Sequence, residues 1–199
     1  MLLTLPGIPA LDWVPVSGNA ELTSDGVLQL QSAGGVDWTN DAGGGPQQHA
    51  AAMLGFDATG DFSLSARVRV PGERTTFDAG ALAIWSDRDH WAKVCFEYSP
   101  QGQAMVVSVV TDVFSDDVNS TLVDTDAVYL RVTRTGSAWA FHSSSDGRSW
   151  DFVRYFRLDI DGSVRVGFLA QAPLGPTCVA LFDEIVYTRD IPSDLRVGS

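Results

Sequence analysis

The sequence predicts an all-β protein folded as an antiparallel β-sandwich, and three observations carry that prediction. Apolar and polar residues alternate along most of the chain, no long window shows the 3.6-residue period of a helix, and turn-forming pieces interrupt the alternation at short intervals. "DFSLSARVRV" shows the pattern most cleanly. Successive side chains of a strand leave on opposite faces, so Phe62, Leu64, Ala66, Val68 and Val70 point to the core and Ser63, Ser65, Arg67 and Arg69 away from it.

Taken in order, "GVLQLQ" follows the turn "SDGV" and reads as the first well-patterned strand. "TNDAGGGPQQ" comes next, and its consecutive glycines beside Pro46 read as a flexible surface loop within one domain. After "DFSLSARVRV" come "ALAIW", "WAKVCFEY", "AMVVSVVT", "AVYLRVTRT", "AWAFHSS", "SVRVGFLAQ" and "CVALFDEIVYT", separated by turns such as "SPQGQ", "RTGS" and "DIDGS". Asp146-Gly147 in "FHSSSDGRSWDFVRYF" marks a hairpin, since this dipeptide accepts positive φ, and Trp150 should pack beside the turn. About a dozen strands result, the number and spacing of a sandwich or barrel. The expected core is Phe62, Leu64, Val68, Leu82, Ile84, Val94, Phe96, Val107, Val109, Leu130, Val132, Val166, Phe168 and Phe182.

Composition narrows the function. With 199 residues, 45% hydrophobic and 19% charged, the chain can bury a sizeable core and reads as a single domain over 1–199. A net charge of -12, with 13 Lys and Arg dispersed, provides no basic stripe for nucleic acid or anionic membranes. The start lacks a basic n-region, and Pro6, Pro9 and Asp12 interrupt its apolar run, which argues against a signal peptide. No stretch reaches transmembrane length. Cys95 and Cys178 are then expected to be unpaired thiols in a reducing cytoplasm.

The candidate site is read from "HWAKVCFEYS". Trp91, Lys93 and Glu97 share one face of this strand, with Val94 and Phe96 on the other. Projected the same way, the other strands add Arg67, Trp85, Ser108, Arg131, His142 and Gln171 to noncore faces. Indoles bordered by charged donors and acceptors suit a sugar ring, whose C–H face stacks while its hydroxyls hydrogen-bond. Lys93 and Glu97 lie about 13 Å apart along an extended strand, so they would mark separate points of a groove. The alternation is equally satisfied if a loop covers Trp91 and neighbouring strands supply partners to Lys93 and Glu97.

The succession "VDWTND", "FDAGALAIW", "HWAKVCFEY", "VVSVVTDVFSDD", "YLRVTRTG" and "SSSDGRSW" resembles the DUF1349 family, which includes the yeast regulation-of-enolase protein, within the concanavalin A-like lectin and glucanase superfamily. The resemblance runs from about Asp37 to Phe182 and implies a jelly-roll sandwich whose concave sheet holds saccharides in superfamily relatives. Position by position it selects Asp37 and Trp38, then Phe77, Asp78 and Leu82, then Trp91, Lys93 and Glu97. Further along it selects Ser108, Thr111, Ser115, Asp116, Arg131 and Arg134. The chain departs from the family pattern at Ala79, Cys95 and Asp117, which stand where the family has Gln, Gly and Trp.

Glycoside hydrolysis needs two carboxyl groups about 5 to 10 Å apart. The chain has only four Glu residues, Glu21, Glu73, Glu97 and Glu184, and none begins the E-x-D-x-x-E motif of the superfamily's glucanases. Glu97 with Asp78 or Asp112 is the remaining catalytic candidate. No G-x-S-x-G elbow accompanies His49, His90 and His142, and zinc-ligand spacing does not occur. The Asp-rich "SDDVNSTLVDTD" reads as solvated surface loop, with calcium as the alternative. The expectation is therefore a saccharide- or sugar-derivative-binding module without cofactor or metal. Trp38, Asp78, Trp91, Lys93, Glu97, Ser108, Asp116 and Arg131 would contact the ligand. A non-classical glycoside-processing enzyme and a protein-interaction module of metabolic enzymes are the alternatives.

Overall fold

A computed structural model describes residues 3–160 and 162–198, so Asp161 of the "DIDGS" turn lies outside the described residues. In chain order the strands are β1 (Asp12–Val14), β2 (Asn19–Leu22), β3 (Leu28–Ala33), β4 (Trp38–Thr39), β5 (Gln48–His49), β6 (Met53–Ala58), β7 (Phe62–Arg69) and β8 (Ala79–Trp85). They continue as β9 (His90–Tyr98), β10 (Ala104–Asp112), β11 (Phe114–Leu122), β12 (Ala127–Thr135), β13 (Ala138–Ser144), β14 (Asp151–Arg157), β15 (Val164–Gln171) and β16 (Thr177–Thr188). Among the described residues there is no helix, and so none long and apolar enough to cross a membrane.

Two seven-stranded antiparallel sheets face each other, ordered β1-β6-β15-β8-β9-β10-β11 and β14-β13-β12-β7-β16-β3-β2. A short hairpin of β4 and β5 lies outside both. The layer between the sheets holds Leu54, Phe56, Phe62, Leu64, Val68, Leu82, Ile84, Val94, Phe96, Leu130, Val132, Val166, Phe168 and Phe182, each side chain worth roughly 1.5–3 kcal/mol when fully buried. Close approach within the first sheet depends on Gly167, which sits opposite Gly55. A Cβ at Gly167 would come 2.2 Å from the Leu54 carbonyl oxygen.

Val107 and Val109 are buried as expected but not in this layer. Ser108 is in register with Val94, and directly opposed residues share a face, so Ser108 points between the sheets while its two neighbours point outward. "AMVVSVVT" is apolar on both faces, so its alternation does not decide which one is core. "SDDVNSTL", expected as loop, instead belongs to the edge strand β11. Its charged side chains fit an edge, where they discourage pairing with another chain.

Two turns depart from expectation in detail. Between β13 and β14 only Gly147 takes a positive φ, of 71°, while Asp146 accepts the amides of Arg148 and Ser149 and the Ser144 hydroxyl on its carboxylate. The loop after β4 has a fixed path despite its glycines. Asp41 accepts the Gly43 and Gly45 amides, and buried Asn40 donates to the Arg88 and Val113 carbonyls. Cys95 and Cys178 are both free and buried, on different sheets.

Candidate functional site

The site is built on the outer face of the first sheet, and β9 explains its layout. Ala92, Val94 and Phe96 face the inner core, which leaves Trp91, Lys93, Cys95 and Glu97 on the outside. Register adds Trp85, Ala83, Ala81 and Ala79 from β8 and Thr111, Val109, Val107 and Met105 from β10. The row of alanines leaves space above the sheet, and the β4–β5 hairpin covers its Trp85–Trp91 end.

The hairpin packs Trp38 and His49 onto Trp85 and Trp91, with the Trp38 ring 4.7 Å from Trp85 and 5.7 Å from Trp91. Trp91 is 0% exposed, so it is the floor beneath a lid and not a stacking plane for a ligand. Trp38 is almost as deeply buried and donates its Nε1–H to the Ala51 carbonyl. The hairpin is held at both ends. Ser115, supported by Thr111, accepts the Asn40 amide, and the Asn40 side-chain oxygen meets His49 Nε2 at 2.8 Å. Burial and the nearby Arg88 charge push the His49 pKa down, which favours its neutral ring.

Lys93 hooks the other end. Its ammonium donates to Asp37 Oδ1 at 2.7 Å, Trp38 O at 2.9 Å and Gln171 Oε1 at 2.7 Å, which uses all three N–H groups. Burial depresses its pKa, but the Asp37 carboxylate that it bonds, with Glu97 nearby, outweighs burial and holds it above the usual lysine value. Lys93 is thus a structural cation.

Beyond this hook the outer face is open. A cavity of about 380 Å³ is lined by Asp37, Lys93, Glu97, Asp117, Asn119 and Gln171 among its polar residues, with Trp38, Phe77, Val107, Val109 and Leu174 among its apolar ones. That volume is of ligand size. A second cleft of about 240 Å³, between Trp13 and Gln31, has no ionisable side chain in its lining.

Glu97 is the chemically distinctive group of the cavity. It is 8% exposed, and among the described residues its carboxyl group has one hydrogen-bonding contact, a long one from Gln171 Nε2 at 3.5 Å. Gln171 is itself fixed, accepting from Lys93 and donating to the Phe77 carbonyl. Burial pushes the Glu97 pKa up to about 7; Lys93 opposes the rise while Asp37 and Asp117 add to it. Asp117 is also raised, chiefly by burial. Near neutrality Glu97 can therefore either donate or accept a hydrogen bond.

A folded pKa above the unfolded one contributes stability that is full below about 4.5 and lost as pH rises through about 7. Glu97→Gln should remove that loss. We expect the variant to match the parent near pH 4 and to exceed it at pH 8 by on the order of 3 kcal/mol in urea unfolding. Identical pH profiles for the two proteins would show that Glu97 is not the titrating group.

Phe77 supplies the aromatic wall that Trp91 does not. It is 36% exposed and has φ of 69°, a left-handed conformation unusual for a bulky residue and one that gathers at ligand sites. Its amide donates to the Tyr98 carbonyl at 2.7 Å, which holds it there. Glycine adopts this φ without penalty. Phe77→Gly should therefore be about 1 kcal/mol more stable than Phe77→Ala, and equal stabilities in thermal unfolding would argue against strain at this position.

The other expected site residues lie elsewhere. Ser108 faces the inner core, and its hydroxyl has no hydrogen-bond partner. Asp78 precedes groove-facing Ala79 and turns away, accepting the Thr75 amide beside Gly175. Asp112 is 73% exposed and pairs with His90 at 3.6 Å, seven residues and about 23 Å along β9 from Glu97. Neither Asp78 nor Asp112 shares a cleft with Glu97; Asp117 does. Asp116 points away from that groove and pairs with Arg154 of β14 at 2.7 Å.

Arg131 belongs to the outer face of the second sheet, on the opposite side of the sandwich. It stacks on Trp150 at 4.2 Å and donates to Gly198 O, and burial lowers its pKa to about 10. His142 beside it bonds Leu195 O and is held neutral, its pKa lowered to about 4 by burial and by Arg131. Arg67 is paired with Asp183 and Glu184 on that same sheet. No group of three or more His, Cys, Asp or Glu among the described residues could hold a metal ion.

The fold and groove define an all-β jelly-roll sandwich with an acidic cavity on one outer face. The family described as "Protein of unknown function (DUF1349)" matches residues 13–190, and the chain belongs to that family. A functionally unknown protein from Saccharomyces cerevisiae shares the fold with a TM-score of 0.81 at 23% identity, covering 92% of this chain and 97% of the yeast one. A xylan β-1,4-xylosidase from Bacillus halodurans aligns with a TM-score of 0.65 at 14% identity, covering 89% of this chain. This chain spans 38% of that enzyme's length. An alginate lyase from Klebsiella pneumoniae aligns with a TM-score of 0.56 at 12% identity, covering 86% of this chain and 84% of the lyase. No curated protein matches the chain.

Proposed function

We propose that the groove beside Glu97 binds a saccharide or sugar derivative. The observation that carries this reading is a glutamate residue only 8% exposed, lining a ligand-sized cavity, whose carboxyl group has one long hydrogen-bonding contact among the described residues. Buried polar groups normally have partners, and a hydroxyl-bearing ligand would provide one. Phe77, Val107, Val109 and Leu174 give the C–H face of a sugar ring an apolar surface, and Asp117, Asn119 and Gln48 offer hydrogen bonds at the rim. The names of the xylosidase and the alginate lyase are in keeping with a carbohydrate ligand on this fold. Free buried thiols at Cys95 and Cys178 fit our assignment of the protein to the cytoplasm.

A panel of mono- and oligosaccharides screened by thermal shift tests the reading, since a ligand at 100 times its dissociation constant stabilises by about 2.7 kcal/mol. We expect Phe77→Ala to weaken binding of any hit about tenfold. Absence of any stabilising saccharide would overturn the reading. A second reading, glycoside hydrolysis, is favoured by one specific feature: Glu97 and Asp117 line the same cavity, and Glu97 is poised near neutrality as a general acid. Glu97→Gln separates the two when turnover is assayed, because an enzyme would release product with the parent and stop in this variant, whereas a binding module releases none with either protein.

A further inference from the structure

We propose that the groove selects saccharides carrying a protonated amine, that is amino sugars, over neutral sugars, and excludes acidic ones. The proposal rests on the saccharide reading and adds the class of sugar. The charged residues of the lining are Asp37, Lys93, Glu97 and Asp117. Every N–H of Lys93 is already bonded to Asp37, Trp38 or Gln171, so the cation offers nothing to a ligand. Asp37 is neutralised by that contact. Among the described residues neither Glu97 nor Asp117 has a cationic partner within salt-bridge distance, and the nearby charge of Lys93 only partly offsets the burial that raises both pKa values.

The cations nearby are also engaged. Arg74 is stacked on Phe96, whose ring faces the inner core, and is bonded to the carbonyls of Asp78 and Phe96. Arg154 is bonded to Asp116, on the other face of β11 from Asp117. A neutral sugar closing over this acidic pair leaves an ionised Glu97 uncompensated or makes it take up a proton, so it gains no charge-assisted contact in return. An ammonium compensates that charge and forms a charge-assisted hydrogen bond about twice as strong as a neutral one. A uronate or phosphorylated sugar would bring a third uncompensated anion into the same low-dielectric space, in a chain of net charge -12.

The test is calorimetric titration at pH 7 with four tetrasaccharides, of glucosamine, N-acetylglucosamine, xylose and galacturonic acid, against the parent and Glu97→Gln. The glucosamine tetramer should bind the parent at least tenfold more tightly than the N-acetylated and xylose tetramers, with the galacturonate tetramer weakest. Glu97→Gln, close in shape, should abolish the difference between the glucosamine tetramer and its N-acetylated counterpart. Equal binding of the amine and its acetamide would overturn the amine preference and leave the saccharide reading standing. Galacturonate binding as tightly as glucosamine would overturn the exclusion of acids. If 1,4-diaminobutane binds as tightly as the glucosamine tetramer, or if no tetramer binds, the saccharide reading falls and this inference with it.

Discussion

Trp91→Ala should destabilise the protein by about 3–5 kcal/mol, the range for removing a fully buried large aromatic side chain. The indole is enclosed between the sheet below and the Trp38 and His49 rings above, so truncation leaves a cavity that the rigid hairpin cannot collapse into. Urea unfolding should show a lower midpoint with little change in slope. Trp91→Phe should cost less, because the ring remains and the indole N–H, which has no partner, is removed. Ligand affinity measured on the folded fraction should barely move, since Trp91 is not in the lining of the groove. A stable Trp91→Ala that had lost saccharide binding would restore the stacking role suggested by the alternation.

What the sequence could reveal follows from what alternation encodes. Period 2 separates the faces of one strand, and β7 and β9 were legible because each carries apolar residues on one face and polar or amphipathic ones on the other. It fails for β10, where Val106 and Val107 are both buried, one on each face, so only the register of Ser108 with Val94 decides. It also says nothing about which sheet a strand joins. Arg131 and Lys93 both alternate outward, yet they emerge on opposite sides of the sandwich. The acidic run of β11 concealed Asp117 and Asn119, because an edge strand that protects itself with charge has the composition of a loop. Phe77 was selected only as part of a family block, since its role depends on a backbone torsion set by Tyr98 and Gln171, residues distant in sequence.

The alternation of Trp91, Lys93 and Glu97 can now be explained physically: one strand supplies a floor for the lid, a hook for the lid and an acid for the open half. The hook makes the strongest prediction about the lid. Lys93→Met keeps most of the side-chain stem but leaves Asp37 Oδ1 with only the Trp38 amide, and leaves Trp38 O and Gln171 Oε1 without the bonds they accept from the ammonium. Breaking a buried ion pair from one side costs about 3–5 kcal/mol, because the remaining charge and acceptors stay desolvated. We expect a loss of that size in urea unfolding, with protease cleavage at Gly43–Gly45 faster than in the parent. Asp37→Ala should also destabilise, but the double variant should lose less than the sum of the two, since neither charge is then stranded. Simple additivity would show that Lys93 and Asp37 do not act as a pair. An unchanged cleavage rate would show that the hairpin is held by its aromatic contacts and Asn40 alone.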